Sequence, residues 1–206
     1  MKTYNGMDSI IEKSFFQDFL KRLYVGSQDA GLSAESRDML KEKVRIVRLN
    51  KGEYLQIEGD VCKYWGYVAD GLVRMYYLRQ EEEITEQLAC DGDGFLDYDS
   101  FFNQAPSRHF IQMLEPTTLY LFPLLECEDI CENNNEIKLF FRKLMEDILI
   151  LKKKRIKDTI FKSAKERYET LLTEKPNLVL RVPSIYIASY LGITPETLSR
   201  IKTKMK

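Results

Sequence analysis

Between residues 44 and 124, short apolar runs alternate with glycine-containing turns at intervals of roughly ten residues. The runs are rich in aromatic and β-branched residues, which favour strands over helices. The runs are Val44–Leu49, Tyr54–Ile57, Tyr64–Val68, Leu72–Leu78, Ile84–Leu88 and Leu119–Phe122. Strands of this length and spacing are typical of an all-β roll or sandwich, and we interpret the region as a β-roll.

The 206 residues are 44% hydrophobic and 31% charged, a composition that supports a buried core and argues against intrinsic disorder. The longest aliphatic run, Ile148–Leu151, is far shorter than the roughly 18 residues needed to span a bilayer. Asp8 and Glu12 interrupt the segment where a secretory signal would be apolar. We therefore expect a cytoplasmic protein without a membrane partner.

The four cysteines, Cys62, Cys90, Cys127 and Cys131, lack zinc-type spacing and fit reduced thiols in a cytoplasm. Cys127 and Cys131 are four residues apart and could share a helix face, which leaves a metal or cluster role open. His109 is the only histidine, so sites built on histidine pairs are excluded. No phosphate-binding glycine loop or nucleophile elbow is present. We expect no metal, no certain cofactor and no enzymatic activity.

Charge is distributed unevenly along the chain. Residues 151–206 contain 14 Lys or Arg and 5 Asp or Glu, a net charge of +9, whereas residues 1–150 contain 17 and 27, a net charge of −10. A basic end of this kind is expected where a protein neutralises phosphates. The alternative is an ordinary solvated helix face.

Two segments outside the roll have helical periodicity. Apolar residues between Phe15 and Leu23 recur at three- and four-residue spacing, which predicts a short amphipathic helix.

After Asn133–Asn135, five residues spaced 4, 3, 4 and 3 apart form a heptad pattern. These are Ile137, Phe141, Leu144, Ile148 and Leu151. We interpret them as a dimer interface, with packing against the chain's own β-domain as the alternative, and we expect a hinge near Ile160.

The C-terminal segment from Pro183 has the start and stop signals of two short helices. Ile187, Ala188 and Leu191 would form the buried face of the first helix, and Gly192 would end it in the left-handed conformation. Thr194 can cap the second helix, with Pro195 at its first position. Two short helices joined by a glycine-containing turn indicate a helix-turn-helix.

The second helix has two distinct faces at 100° per residue. Leu198, Ile201 and Met205 would be buried, while the opposite side presents donors and acceptors suited to base edges. That side consists of Glu196, Ser199, Arg200 and Thr203. Glu196 and Arg200 are four residues apart, so an ordinary helix salt bridge is an alternative reading that is compatible with base contact.

The segment from Ile187 to Ile201 (IASYLGITPETLSRI) resembles the helix-turn-helix of Crp/Fnr-type transcription regulators. The run Ala164–Tyr168 resembles the branch of that family common in Bacteroidetes. The resemblance extends over essentially the whole chain. It implies an α+β fold with a cyclic-nucleotide-binding-like β-roll, a long dimerisation helix and a C-terminal winged helix. Because the chain stops at Lys206, we expect the wing to be short or absent.

The resemblance also implies boundaries and roles. The expected parts are an effector-sensing roll with N-terminal helices over residues 1–131, a dimerisation helix and hinge over 132–161, and a DNA-binding domain over 162–206. A third base-reading position of the family is occupied by Pro195. The candidate DNA-contacting residues are Ser184, Thr194, Glu196, Thr197, Ser199, Arg200, Lys202 and Thr203. Further attraction to phosphates is expected from Arg181, Lys202, Lys204 and Lys206.

The candidate effector residues are Asp97, Ser107 and Arg108. In the family, a Gly-Glu pair holds the ribose and an Arg-Ser or Arg-Thr pair holds the cyclic phosphate. Here no glycine precedes Asp97, and Ser107 rather than Arg108 occupies the phosphate position. Without an aimed arginine, a cyclic phosphate loses its charge-assisted partner. Cyclic nucleotide is therefore not favoured, and another small effector remains a candidate.

The sequence predicts a homodimeric, sequence-specific DNA-binding regulator that reads a palindromic site. RNA polymerase and a small molecule are candidate partners. The alternative is a β-roll ligand-binding or protein-interaction module whose C-terminal domain no longer reads DNA.

Overall fold

The computed structural model describes residues 32–123 and 128–205. The helix predicted between Phe15 and Leu23 lies outside these residues, as do Cys127 and Lys206. The suggested Cys127–Cys131 pair is therefore not described.

Within the described residues, eight strands form two four-stranded antiparallel sheets, which confirms the predicted β-roll. The first sheet has the order β1-β8-β3-β6 and the second the order β2-β7-β4-β5. The strands are β1 (Arg45–Leu49), β2 (Tyr54–Gln56), β3 (Trp65–Asp70), β4 (Leu72–Arg79), β5 (Glu82–Cys90), β6 (Gly94–Phe95), β7 (His109–Met113) and β8 (Thr117–Phe122). Sequence analysis did not identify β6, which is very short, or β7, in which His109 and Gln112 interrupt the apolar pattern.

Apolar side chains fill the space between the two sheets. Alternate residues of β5 point to opposite sides: Ala89 joins this inner core, whereas Leu88 and Cys90 face outward. The inner core consists of Val47, Val68, Val73, Met75, Ala89, Phe95, Ile111, Met113, Leu119 and Leu121. The outer faces of both sheets are left for helices to cover.

Helices on the first sheet include α1 (Ala34–Lys43), α3 (Glu128–Asn133) and the long α4 (Asn135–Phe161), while α2 (Tyr98–Asn103) follows β6. Asn134 caps α4 by accepting hydrogen bonds from the backbone N–H groups of Glu136 and Ile137. The break between α4 and the next helix falls at Lys162, close to the hinge expected near Ile160.

The structure corrects the predicted dimer interface on α4. Ile137 and Leu144 are buried in the chain's own core together with Trp65, and Phe141 and Ile148 pack against the same core. The roll covers Ile137 and Leu144, so these two residues are not free to meet a second copy, whereas Phe141 and Ile148 are only partly covered. Leu151 is exposed.

The opposite face of α4 presents a different apolar stripe. Leu149, Ile156 and Ile160 are spaced seven and four residues apart and are 68%, 62% and 68% exposed. Residues at these spacings share one side of a helix. The helix therefore has one side in the core and an apolar stripe on the other.

The C-terminal helices are α5 (Ala164–Glu174), α6 (Pro176–Arg181), α7 (Ser184–Leu191) and α8 (Pro195–Lys204). Ser163 and Glu166 form a capping box at the start of α5. These helices pack on the outer face of the second sheet in one buried apolar cluster. The cluster comprises Leu72, Leu88, Cys90, Tyr168, Leu171, Leu178, Val182, Ile187, Ala188, Leu191 and Leu198.

Polar contacts surround this apolar cluster. Arg181 pairs with Asp91 and Glu115, and Lys175 Nζ lies 2.7 Å from the Asp93 carboxylate. The side chain of Ser189 on α7 accepts a 2.8 Å hydrogen bond from the backbone N–H of Thr85 on β5. These contacts tie the C-terminal helices directly to the roll.

Arg74 on β4 is the most deeply enclosed charge at this junction, with 1% of its surface exposed. Its guanidinium lies 4.2 Å from the ring of Tyr76 and 3.8 Å from the ring of Tyr186 on α7. It also bonds to Thr85 and Glu83 on β5. The cation is thus shared between the roll and the C-terminal helices.

None of the described helices is long and apolar enough to cross a membrane. No group of three or more His, Cys, Asp or Glu side chains in the described ranges could hold a metal ion. The last strand within these ranges is β8, so they contain no wing strand after α8.

Two adjacent residues of α4 test its inward face. Phe140 is 1% exposed and Leu139 is 53% exposed. We predict that Phe140→Ala lowers the free energy of unfolding by about 3–5 kcal/mol, because it leaves a cavity under α4. Leu139→Ala should change it by no more than about 0.5 kcal/mol. Urea unfolding measures both values, and equal losses would contradict the assigned face.

Candidate nucleic-acid interface and effector pocket

The helix-turn-helix forms as the sequence predicts. Gly192 ends α7 in the left-handed region, with φ of 67°, where a side chain would be strained. The hydroxyl of Thr194 accepts a hydrogen bond from the backbone N–H of Thr197, and Pro195 starts α8. Local capping chemistry therefore fixes the turn and the direction in which α8 leaves it.

One side of α8 is open to solvent and the other faces the protein. Leu198 is buried and Ile201 is partly buried, as predicted, but Met205 is exposed because it lies at the end of the helix. The four residues predicted to face outward are all exposed: Glu196, Ser199, Arg200 and Thr203. The outer side of α8 is therefore a polar surface of donors and acceptors.

Glu196 and Arg200 form no ion pair within 4 Å in the part of the chain that the structure describes. The pKa of Glu196 is lowered chiefly by its own backbone N–H and by the Thr194 hydroxyl, with Arg200 as a weaker influence. The salt-bridge alternative is therefore not formed, and both charged groups remain on the outer surface.

Residues expected near phosphates fall into two groups. Lys202 Nζ donates a 2.8 Å hydrogen bond to Ser184 Oγ, so the start of α7 and the last turn of α8 meet at the surface. Thr197 is partly buried beside the cap, and Lys204 is exposed. Arg181, by contrast, is held by Asp91 and Glu115 on the roll. The structure therefore corrects the expectation that Arg181 is available for a phosphate.

Asp97 and Ser107 meet inside the roll, as the sequence predicts for a shared pocket. Asp97 is 2% exposed and caps α2 by accepting from the backbone N–H of Ser100. Ser107 Oγ donates to Asp97 Oδ2 and accepts from the backbone N–H of His109 at 2.7 Å. Gln56 Nε2 donates to both, at 3.1 Å to Asp97 and 2.8 Å to Ser107.

These internal bonds use the groups that an effector would need. A hydroxyl has one donor and two acceptor positions, and all three of those on Ser107 are occupied. Arg108 is exposed and makes no contact with Asp97 or Ser107. The structure therefore brings two of the three candidate effector residues together and leaves Arg108 outside the network.

His109 and Glu86 extend the network toward α4, a connection that sequence analysis missed. His109 Nε2 lies 2.7 Å from Glu86 Oε2, and the other carboxylate oxygen of Glu86 is 3.7 Å from Lys152 Nζ on α4. His109 Nδ1 is 3.2 Å from Asp97 Oδ2 but lacks hydrogen-bond alignment, so this contact is an ion pair. The only local signal was that His109 is a polar residue at the start of β7.

The carboxylates determine the protonation of this network. Burial alone would lower the pKa of His109, but its contacts with Asp97 and Glu86 raise it to about 9. Burial alone would raise the pKa of Asp97, but contacts with His109 and Ser107 lower it to about 2. At neutral pH the network therefore contains imidazolium between two carboxylates.

We predict that the contribution of His109 to stability decreases as pH rises. Because its pKa is raised from 6.5 to about 9 on folding, the stabilisation is complete below pH 6.5 and is lost as pH rises through about 9. His109→Gln should cost about 1–3 kcal/mol near pH 6 and clearly less near about pH 10. Arg108→Gln, at the exposed neighbour, should show no such trend. Urea unfolding across this range measures the difference, and a pH-independent loss would contradict the ion pairs.

Comparison with known proteins agrees with this architecture. Residues 46–134 match the family described as Cyclic nucleotide-binding domain. Among curated proteins, none matches the chain significantly.

Solved structures with the same fold cover most of the chain. A CooA variant from Carboxydothermus hydrogenoformans is 24% identical, with 84% of this chain and 80% of that chain covered and a TM-score of 0.61. FixK2 from Bradyrhizobium japonicum is 21% identical, with coverage of 79% and 84% and a TM-score of 0.61. A protein from Eubacterium rectale assigned to the crp/fnr family of transcriptional regulators is 20% identical, with coverage of 84% and 83% and a TM-score of 0.62. At these identities the likeness establishes the fold alone.

Proposed function

We propose that the protein is a homodimeric, sequence-specific DNA-binding transcription regulator of the Crp/Fnr type. The observation that carries the proposal is the outer side of α8, where Glu196, Ser199, Arg200 and Thr203 are exposed on a capped helix whose other side is fixed by Leu198. The fold shared with a protein of the crp/fnr family supports it. As a regulator of this kind it would act in the cytoplasm, where bacterial DNA is located.

The exposed residues of α8 match the chemistry of base edges in the major groove. Arg200 can donate two hydrogen bonds to guanine, and Glu196 can accept from cytosine. Ser199 and Thr203 offer hydroxyl groups that suit several bases. Pro195 presents no polar group, so the target sequence is expected to differ from that of relatives with arginine there.

Phosphate contacts would position α8 without reading sequence. Ser184 lies at the N-terminus of α7, which favours anions, and Lys202 is hydrogen-bonded to it. Thr194 and Thr197 offer hydroxyl groups at the N-terminal end of α8. Together they form a polar edge next to the base-reading side chains.

A second copy of the chain would pack on the outer stripe of α4, formed by Leu149, Ile156 and Ile160. Contact along this stripe removes apolar surface from water. It leaves Ile137 and Leu144 in the roll core. Two copies related by a twofold axis would place two α8 helices in successive major grooves about 34 Å apart.

The roll is not expected to bind a cyclic nucleotide through Asp97 and Ser107. Their hydrogen bonds are made within the chain, and Arg108 is exposed and forms no hydrogen bond or ion pair with them. A cyclic phosphate entering there would have to displace Gln56 and would find no arginine partner. An effector, where one acts, would bind elsewhere.

We predict that base-reading and phosphate-contacting residues respond differently to substitution. After selection of a binding site from random DNA, Arg200→Ala should lose about 1–3 kcal/mol of discrimination at one base pair. Lys202→Ala should weaken binding to all sequences and reduce the salt slope by about 1. Arg108→Ala, at an exposed arginine on the roll, should bind like the parent. Fluorescence anisotropy at several salt concentrations measures these effects.

Failure to select an inverted repeat would count against this function. It would favour the alternative, a ligand-binding or protein-interaction module. The same conclusion would follow if Arg200→Ala and Arg108→Ala bound DNA equally well.

The dimer interface is tested by a charge within the stripe. Ile156→Glu should weaken dimerisation about 30-fold or more, because it places a carboxylate in the centre of an apolar contact. Leu78→Glu introduces the same change at an exposed residue of β4 and should leave the dimer intact. Analytical ultracentrifugation over a concentration series gives both dissociation constants. A dimer insensitive to Ile156→Glu would exclude this face of α4.

A further inference from the structure

A cavity of about 530 Å³ lies where the roll, α4 and the C-terminal helices meet. Its walls include Gln87 and Leu88 of β5, Arg155 of α4, Arg167 of α5 and Tyr190 of α7. Its wall includes Glu86 and Lys152, so the cavity adjoins the outer end of the network that runs from Asp97 through His109. Its size is within the range of small-molecule pockets, which occur preferentially at domain interfaces.

Two guanidinium groups give the cavity unneutralised positive charge. Arg155 donates to the backbone carbonyl groups of Glu86 and Tyr190, and its guanidinium lies 4.2 Å from the Tyr190 ring. Arg167 donates to the carbonyl groups of Lys162 and Leu191 at 2.8 and 3.0 Å. Neither forms an ion pair with a carboxylate among the described residues.

The other charged side chains of the cavity wall have partners of opposite charge, including Asp158, which pairs with Lys162. Lys154 pairs with Glu174 and Lys175 pairs with Asp93, which neutralises each of these lysines. Glu86 is the nearby carboxylate for Lys152, and it also bonds to His109. Burial lowers the pKa of Lys152, and the positive charge of Arg155 lowers it further, against the attraction of Glu86.

Two buried polar atoms in the cavity wall have no hydrogen-bond partner within the described ranges: Gln87 Oε1, an acceptor, and Arg167 Nε, a donor. Buried groups of this kind are rare, because each unmade bond costs free energy. A carboxylate on an occupant would supply an acceptor for Arg167 Nε but no donor for Gln87 Oε1.

The remaining wall is apolar and aromatic. Leu88, Leu171 and Ile148 supply aliphatic surface, and Tyr98 and Tyr190 supply rings. Lys152 Nζ lies 4.7 Å from the Tyr98 ring, so a cation lies beside each of the two aromatic groups. An aromatic body bearing one anionic group fits this combination better than a bare inorganic ion.

We propose that this cavity binds a small organic anion, an aromatic ring joined to a carboxylate, through Arg155 and Arg167. The inference rests on the proposed regulator function and names the class of effector and the place where it acts. The occupant would contact the roll, α4 and the helix-turn-helix unit together. It would control DNA binding to the extent that its affinity differs between two arrangements of these parts.

The test is isothermal calorimetry on the full chain without DNA. The probes are phenylacetate and indole-3-acetate, with the neutral amide of each and inorganic phosphate as comparisons. We expect both carboxylates to bind with dissociation constants below about 1 mM, and the amides and phosphate to bind at least about tenfold more weakly.

Matched variants locate the site. Arg155→Met should reduce carboxylate affinity about 10- to 100-fold, whereas Lys157→Met, which also removes one cation from α4, should leave it unchanged. Leu151→Trp fills the cavity without removing a charge and should abolish binding, and Leu139→Trp on the same helix should not. If Arg155→Met fails to fold, the comparison of Leu151→Trp with Leu139→Trp still decides the test.

The proposal is overturned if no carboxylate binds, if the amides bind equally well, or if Leu151→Trp binds like the parent. Because the calorimetry contains no DNA, its outcome is independent of whether the protein binds an inverted repeat. Absence of DNA binding with intact carboxylate binding would refute the regulator function alone.

Discussion

The packing of the C-terminal helices on the outer face of β5 determines where the helix-turn-helix lies relative to the roll. Leu88 and Cys90 supply the apolar contact, and Arg181, held by Asp91 and Glu115, supplies the ionic one. This junction brings the acidic roll and the basic tail together, so part of the basic charge is neutralised within the chain. Arg200, Lys202 and Lys204 remain on α8, where the proposed function requires them. The uneven charge of the sequence thus serves both internal docking and recognition.

The long helix α4 shows that one amphipathic pattern can contain two apolar faces. Ile137 and Leu144 belong to the core, whereas Leu149, Ile156 and Ile160 form a stripe on the opposite side. The first face fixes the helix to its own roll. The second face is in a position to meet another copy. Such a helix can transmit a change in the roll to a partner, because both contacts are made by the same rigid element.

Sequence reasoning was most successful where the determinants are local. Gly192, Thr194 and Pro195 each act within one helical turn, so the helix-turn-helix was predictable almost residue by residue. The heptad spacing of α4 identified an apolar face but contains no information about what covers it. The bonds of Gln56 and His109 with Asp97 join β2, β7 and the start of α2, and no local pattern reports such contacts. The interdomain cavity depends in the same way on the relative placement of distant segments.

The enclosure of Arg74 between Tyr76 and Tyr186 has a consequence for how acidity acts on the molecule. A guanidinium retains its charge under all ordinary conditions, whereas the imidazolium of His109 loses its proton in mildly alkaline solution. The junction between the roll and α7 therefore contains a permanent positive charge, whereas the interior of the roll contains one that titrates. Alkaline conditions would weaken the ion pairs of His109 inside the roll and leave the contacts of Arg74 with Tyr76 and Tyr186 in place.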